Sequence, residues 1–198
     1  RGLWGESGPA AHLWAERWLG RPLEADPPPE RLILRYLAAF GPASVADIQK
    51  WSGLTGLRQP VEALRPRLAV FRDERGRELF DLPEAPRPDP ATPAPARFLP
   101  EFDNTLLSHD DRTRIIADEH RLRVFTINGI IRGTILVDGF VSGMWDIRRE
   151  PGAATLRINQ FRPLAAADRA ELEDEGRRLL AFADADAVTG GIEWREDE

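Results

Sequence analysis

The sequence predicts an α+β fold: a winged helix-turn-helix, then a small antiparallel β-barrel or curled sheet closed by a C-terminal helix. Three observations predict it. Three short amphipathic stretches between Glu30 and Leu64 precede two extended runs around a polar turn, which is the winged-helix order. An Asp-Gly pair at Asp138-Gly139 sits between apolar extended runs, a strong hairpin signal because both turn positions need positive φ. Apolar residues recur at helical spacing from about Ala165 to Ala183.

Residues 1–29 read as a helical segment left over from a preceding domain. A helix is expected from about Pro9, which suits a first turn, to Leu19, with Gly20 just past its end. Trp4, Trp14 and Trp18 call for burial against another surface, and Pro27, Pro28 and Pro29 form a stiff connection. Residues 30–82 read as the winged helix. Its first helix offers Leu32, Leu34, Tyr36, Leu37 and Phe40, and stops at Gly41-Pro42. Ser44 is a good N-cap with Asp47 at the third helical position, and Val45, Ile48 and Trp51 form an apolar side before Ser52 and Gly53 end the helix. A third helix runs from Thr55 or Leu57 to Leu64, with Pro60 tolerable in its first turn. The run LAVFRDERGRELFDLP then reads as a hairpin turning at Arg75 and Gly76.

Residues 83–97 are a proline-rich spacer, expected as an ordered extended strap; seven prolines fall between Pro83 and Pro100. Residues 98–198 read as the barrel-like domain. Ile135 to Val137 and Phe140-Val141 flank the Asp-Gly turn, Pro151-Gly152 marks a second turn, and Leu156, Ile158 and Gln160 alternate along a strand. The closing helix is expected to point Leu172, Leu179 and Phe182 inward, and the polar tail TGGIEWREDE to fray.

The 198 residues contain no cysteine, which excludes disulfides, thiolate metal sites and cysteine nucleophiles. No apolar window is long enough to cross a membrane and no leader pattern opens the chain, so a cytoplasmic protein is expected. The chain begins at Arg1 and its single methionine is Met144, so something is expected to precede it. A net charge of −6 argues against a nucleic-acid partner only until its distribution is read. The segment from Pro163 onward holds four arginines against eleven acids, whereas Glu30 to Leu82 holds nine basic and seven acidic residues. All basic residues but Lys50 are arginine, the side chain suited to bidentate phosphate and base contacts.

The candidate DNA-reading residues are Thr55, Arg58 and Gln59 at the start of the recognition helix, where arginine and glutamine can pair with base edges. Arg65, Arg67, Arg72, Arg75 and Arg77 would approach phosphates, with Asp73, Glu74 and Glu78 acting against them. Asp110-Asp111 with Arg112 and Arg114 reads either as a phosphate-facing loop or as an internal ion-pair cluster, and the near balance of charge favours the second. His12, His109 and His120 lack metal-ligand spacing, and no phosphate loop, dinucleotide pattern or nucleophile elbow appears, so no metal and no cofactor is expected.

The runs FLPEFDNTLLSHDDRTRII and FTINGIIRGTILVDGFVSGMW carry a family resemblance. Leu99, Pro100, Phe102, Asp103, Asn104, Leu106 and Leu107, then Asp111, Arg112 and Arg114, then Asn128-Gly129, and finally Leu136 to Gly139 with Gly143 and Trp145 resemble the C-terminal half of bacterial winged-helix proteins that include DNA glycosylases of the AlkZ and YcaQ type. The resemblance implies tandem winged helices and a β-barrel around a concave DNA-binding surface. It also implies excision of alkylated bases and unhooking of crosslinked ones, with the hairpin Val137, Asp138, Gly139 and Phe140 near the duplex groove. The family's catalytic Gln-x-Gln or Gln-x-Asp pair belongs to its N-terminal half, and the glutamines here, Gln49, Gln59 and Gln160, stand singly. The expectation is therefore a DNA-binding portion, double-stranded DNA its partner, without base excision of its own. The alternative is a winged-helix transcriptional regulator whose C-terminal module binds a ligand or a partner.

Overall fold

Ser44 and Asp47 start the best-capped helix of the chain. The structure, a computed structural model, describes residues 8–9, 11–184 and 189–196. Ahead of that helix lie α1, Ala15–Leu19, and α2, Pro29–Phe40. Helix α1 is shorter than expected, opening at Ala15 instead of near Pro9. It has no side-chain cap and buries no residue, and so short a helix gains too little from its own hydrogen bonds to extend. Trp14 is 82% and Trp18 76% exposed, so the expected burial of these rings is not met within the described residues, and Trp4 lies outside them. Pro29 opens α2, where its missing N–H costs nothing, and Ile33, Tyr36 and Leu37 form the buried face.

Helix α3, Val45–Ser52, begins with a reciprocal box: the Asp47 N–H donates to Ser44 Oγ (3.2 Å) and the Ser44 N–H to Asp47 Oδ2 (2.8 Å). Gly53 ends it in the left-handed region. Helix α4, Arg58–Leu64, follows; the side chain of Gln49 accepts from the Leu57 N–H (3.0 Å), and Thr55 lies in the exposed turn before the helix. After a 3₁₀ turn at Arg65–Arg67, β1 (Ala69–Arg72) and β2 (Glu78–Asp81) pair antiparallel. Ala43 extends this hairpin by pairing with Phe80 through two backbone bonds of 2.9 and 2.8 Å. Ile33, Tyr36, Leu37, Ile48, Val61 and Phe80 make one apolar core from α2, α3, α4 and β2.

Through the proline-rich stretch the Arg87 guanidinium clasps the chain, donating to Asp81 Oδ2 (3.2 Å) and to the carbonyls of Leu82 (3.2 Å) and Pro83 (2.6 Å). The second half comprises β3 (Arg97–Leu99), α5 (Asn104–Leu107), α6 (Asp118–Val124), β4 (Thr134–Val137), β5 (Phe140–Glu150), β6 (Ala153–Gln160), α7 (Ala166–Ala183) and β7 (Thr189–Glu196). These strands form one sheet in the order β3-β4-β5-β6-β7. It departs from the expected barrel in three ways. The described strands leave β3 and β7 as open edges, so no barrel closes among them. The β6–β7 pair is parallel, because α7 carries the chain back across the sheet before β7 begins. The tail expected to fray is β7 itself, whose Ile192 and Trp194 pack on the core with Leu156, Ile158 and Leu172. Phe182 is also corrected: it is 82% exposed, because two residues of helix place it roughly 160° around the axis from the inward Leu180. Helix and sheet meet closely at Gly176, where a Cβ would stand 2.7 Å from Leu156 Cδ2.

Candidate nucleic-acid interface

Thr55, Arg58 and Gln59 are exposed at the start of α4, brought there by the Gly53 and Gly56 turns, both at positive φ. Arg58 and Arg67 are exposed and form no ion pair among the described residues. The remaining hairpin arginines are engaged. Arg65 donates to Glu62 (2.6 Å) and Glu78 (2.8 Å) with its guanidinium 5.1 Å from the Phe80 ring centroid, which ties α4 to β2. Arg72 pairs with Glu78 at 3.2 Å. Arg77 holds Asp73 (2.5 Å) and reaches Asp111 (2.8 Å) in the second half, which Arg75 also approaches (3.5 Å). Asp111 is lowered to about 2, first by the hydroxyl and amide of Thr113 donating to it and then by Arg77. The partners of Asp111 are thus Arg77 and Arg75 of the hairpin turn, not Arg112 and Arg114 of its own segment.

Arg75, Arg77, Arg114 and Phe140 come together around a cleft of 500 Å³, with Asp47, Asp73, Glu74 and Asp111 on its walls. Carboxylates thus share the lining with arginines. Asp47, His109 and Arg114 of its lining also belong to a joint between the two halves. The Tyr36 hydroxyl donates to the Ser108 carbonyl (2.5 Å), and burial pushes that phenol above its ordinary range. The Asp110 N–H donates to Asp47 Oδ1 (2.8 Å), Arg114 to the Pro42 carbonyl (3.3 Å) and Trp51 Nε1 to Asn104 Oδ1 (3.4 Å). His109 Nε2 lies 3.1 Å from the Phe40 carbonyl, which can only accept, so the proton sits on Nε2 and Nδ1 accepts from the Ser108 hydroxyl (2.9 Å). Burial, and then the charge of Arg114, hold His109 below its ordinary value.

The hairpin Val137, Asp138, Gly139 and Phe140 forms as its turn chemistry requires: Val137 pairs with Phe140, while Asp138 (φ 50°) and Gly139 (φ 77°) take the two left-handed positions. Phe140 is half exposed beside the cleft. Arg112 stacks 4.5 Å from the Phe125 ring centroid, its Nε buried with no hydrogen-bond partner among the described residues. The sequence reading passed over Arg121 and Arg132, which are exposed near this ring; the signal was an acid-free run from His120 to Gly133. Of the glutamines, Gln49 is spent on Leu57, Gln59 is exposed and Gln160 is buried. Among the described residues no group of three acidic or histidine side chains could hold a metal ion.

Residues 1–182 match the sequence profile of the family described as DNA glycosylase AlkZ-like. The interstrand DNA cross-link repair glycosylase of Streptomyces sahachiroi is 33% identical over 149 residues, covering 70% of this chain and 39% of that protein. The solved structure of Streptomyces sahachiroi DNA glycosylase AlkZ superposes with a TM-score of 0.66 at 25% identity, over 85% of this chain and 45% of that one. The chain therefore spans less than half the length of either relative.

Proposed function

The chain belongs to the AlkZ-like DNA glycosylase family, and from that premise we propose that it is the portion of a repair glycosylase that holds duplex DNA. In this reading α2, α3, α4 and the β1–β2 hairpin are a winged helix, with α4 the recognition helix and the hairpin its wing. The five-stranded sheet takes the place of the family's barrel, and the Asp138-Gly139 turn approaches the groove. One observation supports the reading: Thr55, Arg58 and Gln59 stand exposed together where a helix would enter a groove, and neither Arg58 nor Arg67 forms an ion pair among the described residues, Glu62 only lying within reach of the Arg58 charge. Arg65 is assigned to the fold, because both of its carboxylate partners lie within this unit. The name of the curated relative makes crosslinked DNA the substrate of that protein; for this chain the proposal is a duplex carrying such damage. Base excision is not assigned to these residues, since no paired glutamines are present to hold a water or stabilise the cationic sugar.

Duplex binding measured against salt tests it. Arg67→Ala should flatten the dependence of log affinity on log salt by about 1, roughly 0.9 for the one lost phosphate contact, and Arg58→Ala should cost about 1 to 3 kcal/mol of binding at the base edge it reads. A chain that fails to bind duplex even at about 20 mM salt, where such contacts are strongest, would sink the proposal. An incubation of the chain with alkylated duplex should release no base.

A further inference from the structure

We propose that the turn Thr126–Ile130 is a second duplex contact, with Ile127 entering a base step from the groove and Arg121 and Arg132 holding the flanking phosphates. The proposal rests on the duplex reading above. Thr126 clamps the turn: its N–H and hydroxyl donate to the Ile130 carbonyl (2.9 and 3.1 Å), its own carbonyl accepts from Gly129 (3.0 Å) and its hydroxyl from the Ile130 N–H (3.0 Å). Below it Phe125 pairs with Ile131, and the Arg132 N–H donates to the Val124 carbonyl (3.1 Å). The turn is therefore stiff, and at its apex Ile127 is 101% exposed, touching nothing the fold needs.

A lone exposed isoleucine would call for no explanation. Here Leu122 (81%) and Ile130 (46%) are exposed in the same short segment, and arginine is the only charged residue type from Arg121 to Gly133. Arg112, held over Phe125, lies close enough to Arg121 for the two charges to repel, with Asp110 the acid that offsets them. Glu101 and Asp146 line the 310 Å³ hollow behind the turn with Arg132, and Asp146 is taken up by Arg157. An apolar tip on a rigid turn, framed by cations, fits a duplex: the guanidinium groups meet phosphates while the aliphatic side chain pries neighbouring bases apart. A protein partner of ordinary composition would meet the same apolar tip without needing the acid-free frame.

The test uses the full chain and a duplex carrying 2-aminopurine, whose fluorescence rises when its base unstacks. Wild type should brighten the probe. Ile127→Ser should abolish the rise and weaken binding about tenfold, the loss expected for one buried aliphatic side chain, while Ile127→Leu retains both. Arg121→Ala with Arg132→Ala should lower the salt slope by about 2. All three positions are exposed, so folding is spared. If wild type binds, Arg58→Ala with Arg67→Ala weakens it and the Ile127 and Arg121/Arg132 variants do not, this proposal alone falls. If wild type binds no duplex, both fall.

Discussion

Asp111 pairs with Arg77 and lies 3.5 Å from Arg75, two arginines of the turn between β1 and β2, while its other oxygen accepts from the Thr113 amide and hydroxyl. The β1–β2 hairpin therefore offers DNA less positive charge than Arg72, Arg75 and Arg77 imply in sequence. Replacing Asp111 by Asn keeps the Thr113 contacts and removes the charge. The expected result is tighter duplex binding and a salt slope steeper by about 1, as Arg75 becomes available to phosphates while Arg77 stays with Asp73. An unchanged slope would show that the hairpin does not face DNA. The native Asp111 value lies below the ordinary 3.8, so its contribution to stability is whole above about pH 4 and drains away as pH falls toward 2. Sequence reasoning identified Arg75 and Arg77 and weighed Asp73, Glu74 and Glu78 against them. It named Asp111 but could not pair it with them, since Asp111 lies 34 residues from Arg77.

At the scale of elements, turn and cap chemistry was the legible part. Ser44 with Asp47, Gly20, Gly53 and Asp138-Gly139 each sit where their side chains or positive φ require. Helix α1 and strand β7 were misread for a shared reason: local pattern does not say which surface an element will meet. Helix α1 has helical spacing but nothing in the described structure to pack on. The β7 segment looks polar, yet it docks beside β6 with Trp194 Nε1 donating to Glu173 on α7 (3.0 Å). The β5–β6 seam is closely packed at Gly143. At Gly143 a Cβ would lie 2.5 Å from the Asn159 carbonyl, a backbone atom that cannot swing aside. Gly143→Ala should therefore cost about 1 to 3 kcal/mol in urea unfolding, the range for an overpacked core; a neutral result would mean that the two strands separate more easily than this register implies.

At the scale of the molecule, the joint between the halves decides which surfaces share a face. It is built from buried polar contacts: Tyr36 to Ser108, His109 to Phe40 and Asp110 to Asp47. Such contacts hold geometry well and are expensive to leave unmade. His109 is held below 6.5, so the unfolded chain takes up its proton before the native one does. Stability should be full above about pH 6.5 and decline as pH falls below it. Urea midpoints at about pH 7.5 and 5.5 should differ more for wild type than for His109→Asn, which can still donate at this site. Equal differences would remove His109 from the joint.

The sequence by itself determined the helices α2 to α4 and α7 with their turns, though not the short α5 and α6, and it determined the Asp-Gly hairpin, the absence of thiol chemistry and the family pattern in the Leu99–Leu107 and Leu136–Trp145 runs, because each depends on backbone propensity or residue identity within a few positions. Only the tertiary structure decided that the hairpin arginines are already paired, that the sheet stays open with a parallel edge strand, and that Ile127 stands clear of the surface. Those outcomes depend on which distant side chains share a region of low dielectric and which strand edge the returning chain reaches, and neither is encoded in local periodicity.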